Sequence, residues 1–291
     1  MNEKKLMTLI LGLLIGINLL LFGYYLYQSR LENMADSEDV QQVQQLYTQA
    51  GVDLEAEITR YNPPRPFLRL GEADLDRMAE VVLSSGYDKS YVYGDKVQYS
   101  SGDVLIVTDR LNHTITYEDE SLSMEKARET FAENWYNSIW MNEEEDIQQE
   151  LYMQPVARDF ATKWLGDSLY LAESRYEEQG FTFLYYQIQD DTVYYFNQIE
   201  VTVLPAGVAS ASLSYWQVEG KSENVYNLPP IDEILYSQLS LIQTDLPEGD
   251  TDAVVRILDG YRLREDDMDN VEAAPTVTLV LRSGRTYVFS P

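Results

Sequence analysis

The stretch that most constrains this chain is LMTLILGLLIGINLLLFGYYLY, an uninterrupted apolar run of 22 residues from Leu6 to Tyr27. At about 1.5 Å per residue, a helix of this length matches the roughly 30 Å hydrocarbon core of a bilayer. The run therefore predicts a transmembrane helix over 6–27. A cleaved signal peptide is the competing reading. Against it, the run exceeds the usual apolar region of such a peptide, and no Ala-x-Ala-like site follows in GYYLYQSRLENM. Lys4 and Lys5 precede the span, whereas Arg30 is soon followed by Glu32, Asp36, Glu38 and Asp39. The positive-inside bias then keeps residues 1–5 in the cytoplasm and puts the chain beyond Arg30 outside, as a single-pass protein of the cell membrane. Tyr24, Tyr25 and Tyr27 fall at the outer interface, where such rings are favoured.

A plain anchor needs no glycine, yet this span holds Gly12, Gly16 and Gly23 together with Asn18. At about 100° per residue, Thr8, Gly12, Gly16 and Gly23 lie on one smooth stripe, and Asn18 lies on another face. Small-xxx-small surfaces let helices approach closely in lipid, and a buried amide seeks a partner. These five residues are the candidate contacts to neighbouring transmembrane helices.

Outside the span the chain is strongly acidic, 49 carboxylates against 21 basic side chains and a net charge of −28. Such a surface repels nucleic acid and anionic headgroups, so no nucleic-acid partner is expected. Cysteine is absent. That removes disulfides, thiolate metal sites and a lipidated cysteine, and suits a bacterial extracytoplasmic space.

Hydrophobic periodicity predicts a helix from Ser37 as cap to Gly51, a break at YNPPRPF, and a short helix over 72–83. Strands follow at 91–99, 104–108 and 113–117, then a helix opening at Ser123. The acidic stretch NEEEDIQQE (142–150) is the candidate boundary. Beyond it come a helix over 155–165, strands at 169–176, 181–189, 193–196, 200–204 and 208–216, and a helix with Pro230 at its first position. Strands at 253–263, 276–281 and 286–289 close the chain. The recurring order predicts an α+β fold: two similar lobes, 28–150 and 151–291, each an antiparallel sheet packed with helices.

Motifs for chemistry are scarce. His113, the one histidine, sits in LNHTITY and reads as a turn or sheet-edge residue. Asp190–Asp191 reads as a hairpin turn, and REDDMDN (264–270) lacks the central glycine and distal glutamate of an EF-hand. No phosphate-binding glycine loop is present. The expectation is an interaction protein, not an enzyme, without metal or cofactor.

Several segments resemble the YycI family of membrane-anchored regulators. They are KKLMTLILGLLIGINLLLFGYYLYQSR, a polar helix ending in GVDL, YNPPRPFLRLG, YYFNQIEVTVLPAGVASASLSYWQVEG, PPIDEILYSQL and VTLVLRSGRTYVFSP. The resemblance implies a non-enzymatic regulator of the cell-wall two-component system. Its partners would be the sensor histidine kinase (YycG/WalK-like) and a YycH-like membrane protein. The alternatives are another bitopic envelope scaffold, of division or sporulation, and an anchored wall hydrolase.

Overall fold

In a computed structural model, the structure describes residues 14–25, 27, 34–59, 62–83, 86–122, 143–177, 180–247, 249–264 and 271–290. The helix expected from Ser123 and all but the first residue of REDDMDN lie outside them. Residues 14–25 are helical (α1). Next come α2 (Ser37–Gln49), β1 (Val52–Leu54), β2 (Arg65–Gly71) and α3 (Leu75–Val82). A meander follows: β3 (Asp88–Tyr93), β4 (Lys96–Ser101), β5 (Val104–Asp109) and β6 (Thr114–Asp119). Then α4 (Glu143–Leu165) leads into β7 (Leu169–Glu177), β8 (Gly180–Gln189), β9 (Thr192–Leu204), β10 (Gly207–Ser214) and β11 (Gln217–Tyr226). The chain ends in α5 (Ile231–Asp245), β12 (Asp252–Leu263), β13 (Glu272–Leu281) and β14 (Thr286–Phe289).

The expected fold class is corrected on two points. The described strands join one mixed sheet, with the path β11-β2-β13-β12-β9-β10-β6-β5-β4-β3 and with β1, β14 and the β7–β8 pair attached at its sides. It is not two similar antiparallel lobes: β12 pairs in parallel with both β1 and β9. No helix among the described residues is long and apolar enough to cross a membrane. The transmembrane helix predicted over 6–27 is thus not found among the described residues, and its residues 6–13 and 26 lie outside them.

Packing explains why a single sheet forms. One core gathers Leu75 and Ala79 of α3, Ile106 and Ile115 of the meander, Phe160 and Trp164 of α4, and Phe183, Ile199 and Leu213 of β8–β10. A second core gathers Val43 and Tyr47 of α2 with Ile234, Leu235 and Ile242 of α5 and Val277, Leu279 and Tyr287 of the closing strands. The two ends of the chain therefore share one core and enclose the middle. Gly71 and Gln217 stand opposite each other where β2 pairs with β11, so everything between them leaves and returns at one point.

β9 is the seam. Its first residues pair with β12, its later ones with β10, and one side of the whole strand faces β8. Asn197, Gln198 and Ile199 read in the sequence as a gap between two strands. In the fold Asn197 is buried but fully paired: it donates to the Gln187 side chain at 2.8 Å and the Trp216 carbonyl at 3.2 Å, and accepts from the Trp216 N–H at 2.7 Å. A satisfied amide costs little to bury, so the strand runs through.

α4 likewise runs through Pro155, which the sequence places at a helix start. Met153, upstream of the proline, is buried in the α3–α4 core and holds the preceding turn. Asp190 and Asp191 form the expected hairpin turn, both with positive φ (49° and 59°), the geometry of a two-residue turn that matches strand twist. Gly94 supplies the positive φ (57°) that splits the expected strand 91–99 into β3 and β4.

Candidate functional site

Six strands, β7-β8-β9-β12-β13-β14, follow one another in hydrogen-bonded order. They curl so that the face of β7–β8 closes over β12 and β13. Tyr170 of β7 packs with Val193 of β9 and Val280 of β13, and Tyr186, Tyr195, Val255 and Leu258 lie against the same cluster. The curl depends on Gly260. A β-carbon there would stand 2.5 Å from the Tyr195 ring and 3.0 Å from the Thr276 hydroxyl. Without it, the Tyr195 ring crosses β12, and its hydroxyl pairs with that of Thr278.

The curl leaves an open cleft of about 900 Å³ between β7 and the β13–β14 hairpin. Tyr170, Tyr186 and Tyr195 give it aromatic walls, Tyr186 meeting Tyr195 edge-on with ring centroids 4.9 Å apart. Burial raises the phenol pKa of all three, that of Tyr195 to about 12, so each is a neutral donor at physiological pH. Arg262 and Arg285 line this cleft together with two carboxylates, Glu173 and Asp245. Arg285 donates to the main-chain carbonyl of Asp245, and among the described residues Arg262 makes no ion pair or side-chain hydrogen bond. Arg256, just outside, lies over the Tyr170 ring at 5.3 Å.

Of the residues singled out in the sequence, Thr8 and Gly12 lie outside the described ones. Gly16, Asn18 and Gly23 lie on α1 and are exposed, and nothing comes within 4 Å of a β-carbon built at either glycine. His113 caps the β5–β6 turn with positive φ (53°) and stacks on Trp216 at 3.6 Å. Burial lowers its pKa against the pull of Glu72 and Asp109. Nearby, Asp76 accepts from Arg110 at 2.7 Å, Thr108 at 3.1 Å and Lys89 at 3.2 Å. Burial works to raise this carboxyl, but those bonds hold it below the usual range. Every one of those donors belongs to the fold, so the cluster ties α3 to the meander. Among the described residues, no group of three or more His, Asp or Glu is placed to hold a metal ion.

The cleft residues carry no motif. The one signal in the sequence is RILDGYRLR (256–264), which concentrates Arg256, Arg262 and Arg264 in a chain poor in basic residues.

No protein-family model and no curated protein matches the sequence. Among solved structures, the chain is similar to an uncharacterized protein from Eubacterium rectale ATCC 33656. The identity is 11% over 82% of this chain and 85% of that one, with a TM-score of 0.42. It is also similar to the C-terminal domain of YpeB from Bacillus megaterium, at 14% identity over 75% of this chain and 92% of that domain, with a TM-score of 0.36. Both are distant likenesses of fold.

Proposed function

We propose that this protein is a regulator held at the cell membrane by its apolar N-terminal segment. Its C-terminal region is extracytoplasmic, where it binds and modulates a sensor histidine kinase (YycG/WalK-like) together with a YycH-like membrane protein. The observation that carries this reading is the exposure of α1, which has no packing partner among the described residues. Leu19, Leu20, Leu21 and Phe22 are 60–76% exposed and adjacent on one helix, and neither large core draws on any described residue of α1. An apolar surface of this kind, joined to a large acidic domain, calls for lipid or a partner helix. The resemblance of the segments quoted above to the YycI family supplies the kinase and the second membrane protein as those partners.

Gly16 and Gly23 recur on one face of α1, and Asn18 falls on another. Gly12→Leu with Gly16→Leu should weaken one association in a membrane two-hybrid assay. Asn18→Leu should weaken mainly the other, by an amount in keeping with about 0.6–2 kcal/mol for an interhelical hydrogen bond. Full complex formation and kinase control by a chain whose residues 6–27 are all leucine would sink this reading.

A further inference from the structure

We propose that the cleft between β7 and β14 takes up an extended, acidic segment of a partner polypeptide as an added strand. Among the described residues β7 pairs only with β8, and β14 only with β13, so each ends the curled run with one edge unpaired there. The cleft is lined by five consecutive residues of β7, 170–174, and by six consecutive residues of the hairpin, 283–288. Side chains alternate across a strand, so a surface touched by every residue in turn runs along the strand's edge and not over one face. Leu171 makes the point: its side chain packs with the α3–α4 core, yet it lines the cleft. Two rows of unpaired backbone N–H and C=O groups thus border one opening. An extended peptide laid there has main-chain partners on an edge strand, the geometry of strand addition.

The side chains narrow the choice. β7 is guarded against casual pairing by a bulge between Leu171 and Glu173 and by Arg175, which bridges Glu173 at 3.3 Å and Glu200 at 2.9 Å. Of the four charged side chains lining the cleft, Glu173 is bridged by Arg175, Asp245 accepts from the Tyr287 hydroxyl at 3.0 Å with Arg285 bound to its main-chain carbonyl, and Arg262 is left without an ion pair among the described residues. Guanidinium groups suit carboxylates through paired hydrogen bonds, so acidic side chains on the incoming strand are favoured. Tyr186 and Tyr195 offer flat apolar surface to the alternate positions. This site is separate from α1 and does not rest on the regulatory reading.

The test is to pan a random short-peptide library on the full, detergent-solubilised chain and on its Arg262→Glu/Arg285→Glu variant, with circular dichroism to show that both are folded. The expected winners alternate acidic and apolar residues and bind the double variant about tenfold or more weakly. They also lose binding when alternate backbone nitrogens are methylated, and keep it when residues 6–27 are replaced by leucine. Failure to enrich an acidic class, or binding that survives either the arginine substitutions or N-methylation, overturns the proposal.

Discussion

At Gly260 one hydrogen in place of a methyl decides whether the sheet can curl. The Tyr195 ring occupies the space a side chain would need, with Thr276 and the Val193 carbonyl on its other sides at 3.0 Å. Gly260→Ala must push that ring off β12 or move the strand. Overpacking of this kind costs about 1–3 kcal/mol, so the denaturant midpoint should drop with an unchanged slope. Tolerance of the alanine at full stability would mean that the ring is not fixed there. The tyrosines also set an alkaline limit. Burial pushes Tyr117, Tyr185 and Tyr195 up to about 12, and Tyr47, fully buried and donating to the Leu235 carbonyl at 2.8 Å, is pushed up further. A folded pKa above the unfolded value of about 10 means the folded state holds its proton more tightly. Their contribution is therefore complete below about pH 10 and fades as pH rises towards 12. A pH titration should show stability falling in that window, with tyrosinate absorbance from the buried rings appearing together with loss of circular dichroism. Ionisation of every tyrosine near pH 10 with the fold intact would contradict the burial described here.

Elements with a strong local pattern were legible from sequence; elements whose boundaries are set by distant partners were not. β14 falls at the expected 286–289, and β5, β7, β8 and β12 lie within a residue or so of expectation. In β8, a run of aromatic and β-branched residues ends at the Asp190–Asp191 turn. The helix at Ser37 is present, but its cap is Asp36, whose side chain accepts from the Glu38 N–H. β2 takes Arg65, Pro66 and Phe67 of the supposed break into a strand. The strand is paired only in part with β13, leaving room for a residue without an N–H. β11 was not foreseen at all: QVEGKSENVY is polar and mostly exposed, and only pairing with β2 makes it a strand. NEEEDIQQE reads as a boundary because charge and few apolar residues mark both domain boundaries and solvated helices; residues 143–150 are helical. The cleft was hidden for a related reason. Tyr170, Tyr195 and Arg262 come from three strands brought together by a curl that no local pattern encodes.

Over the whole molecule, the recurring order of helix, meander and helix was misleading, because similar runs of elements need not be separate units. The α3–α4 core draws on residues from Leu75 to Leu213, spanning the acidic stretch, while the other large core joins Ala35–Val52 to Leu228–Tyr287. A cut at 150 therefore divides both cores. The fragment 151–291 keeps α5 without Val43 and Tyr47 of α2, and keeps only residues 151–165 of α4, without α3 and the meander. It leaves apolar faces of both helices open to water, and at about 25 cal/mol per Å² such exposure exceeds the margin of a typical domain. The fragment 72–216 instead keeps the α3–α4 core whole, and gives up the short parallel pairing of β9 with β12 and the cover that β2, β12 and β13 lend Tyr170, Val193 and Phe196. Its ends also meet, since Gly71 and Gln217 are directly opposed. The expected outcome is that 72–216 alone gives a dispersed amide NMR spectrum and a cooperative thermal transition, whereas 151–291 gives neither. The reverse result would place the boundary of folding at the acidic stretch and refute the nested arrangement of cores.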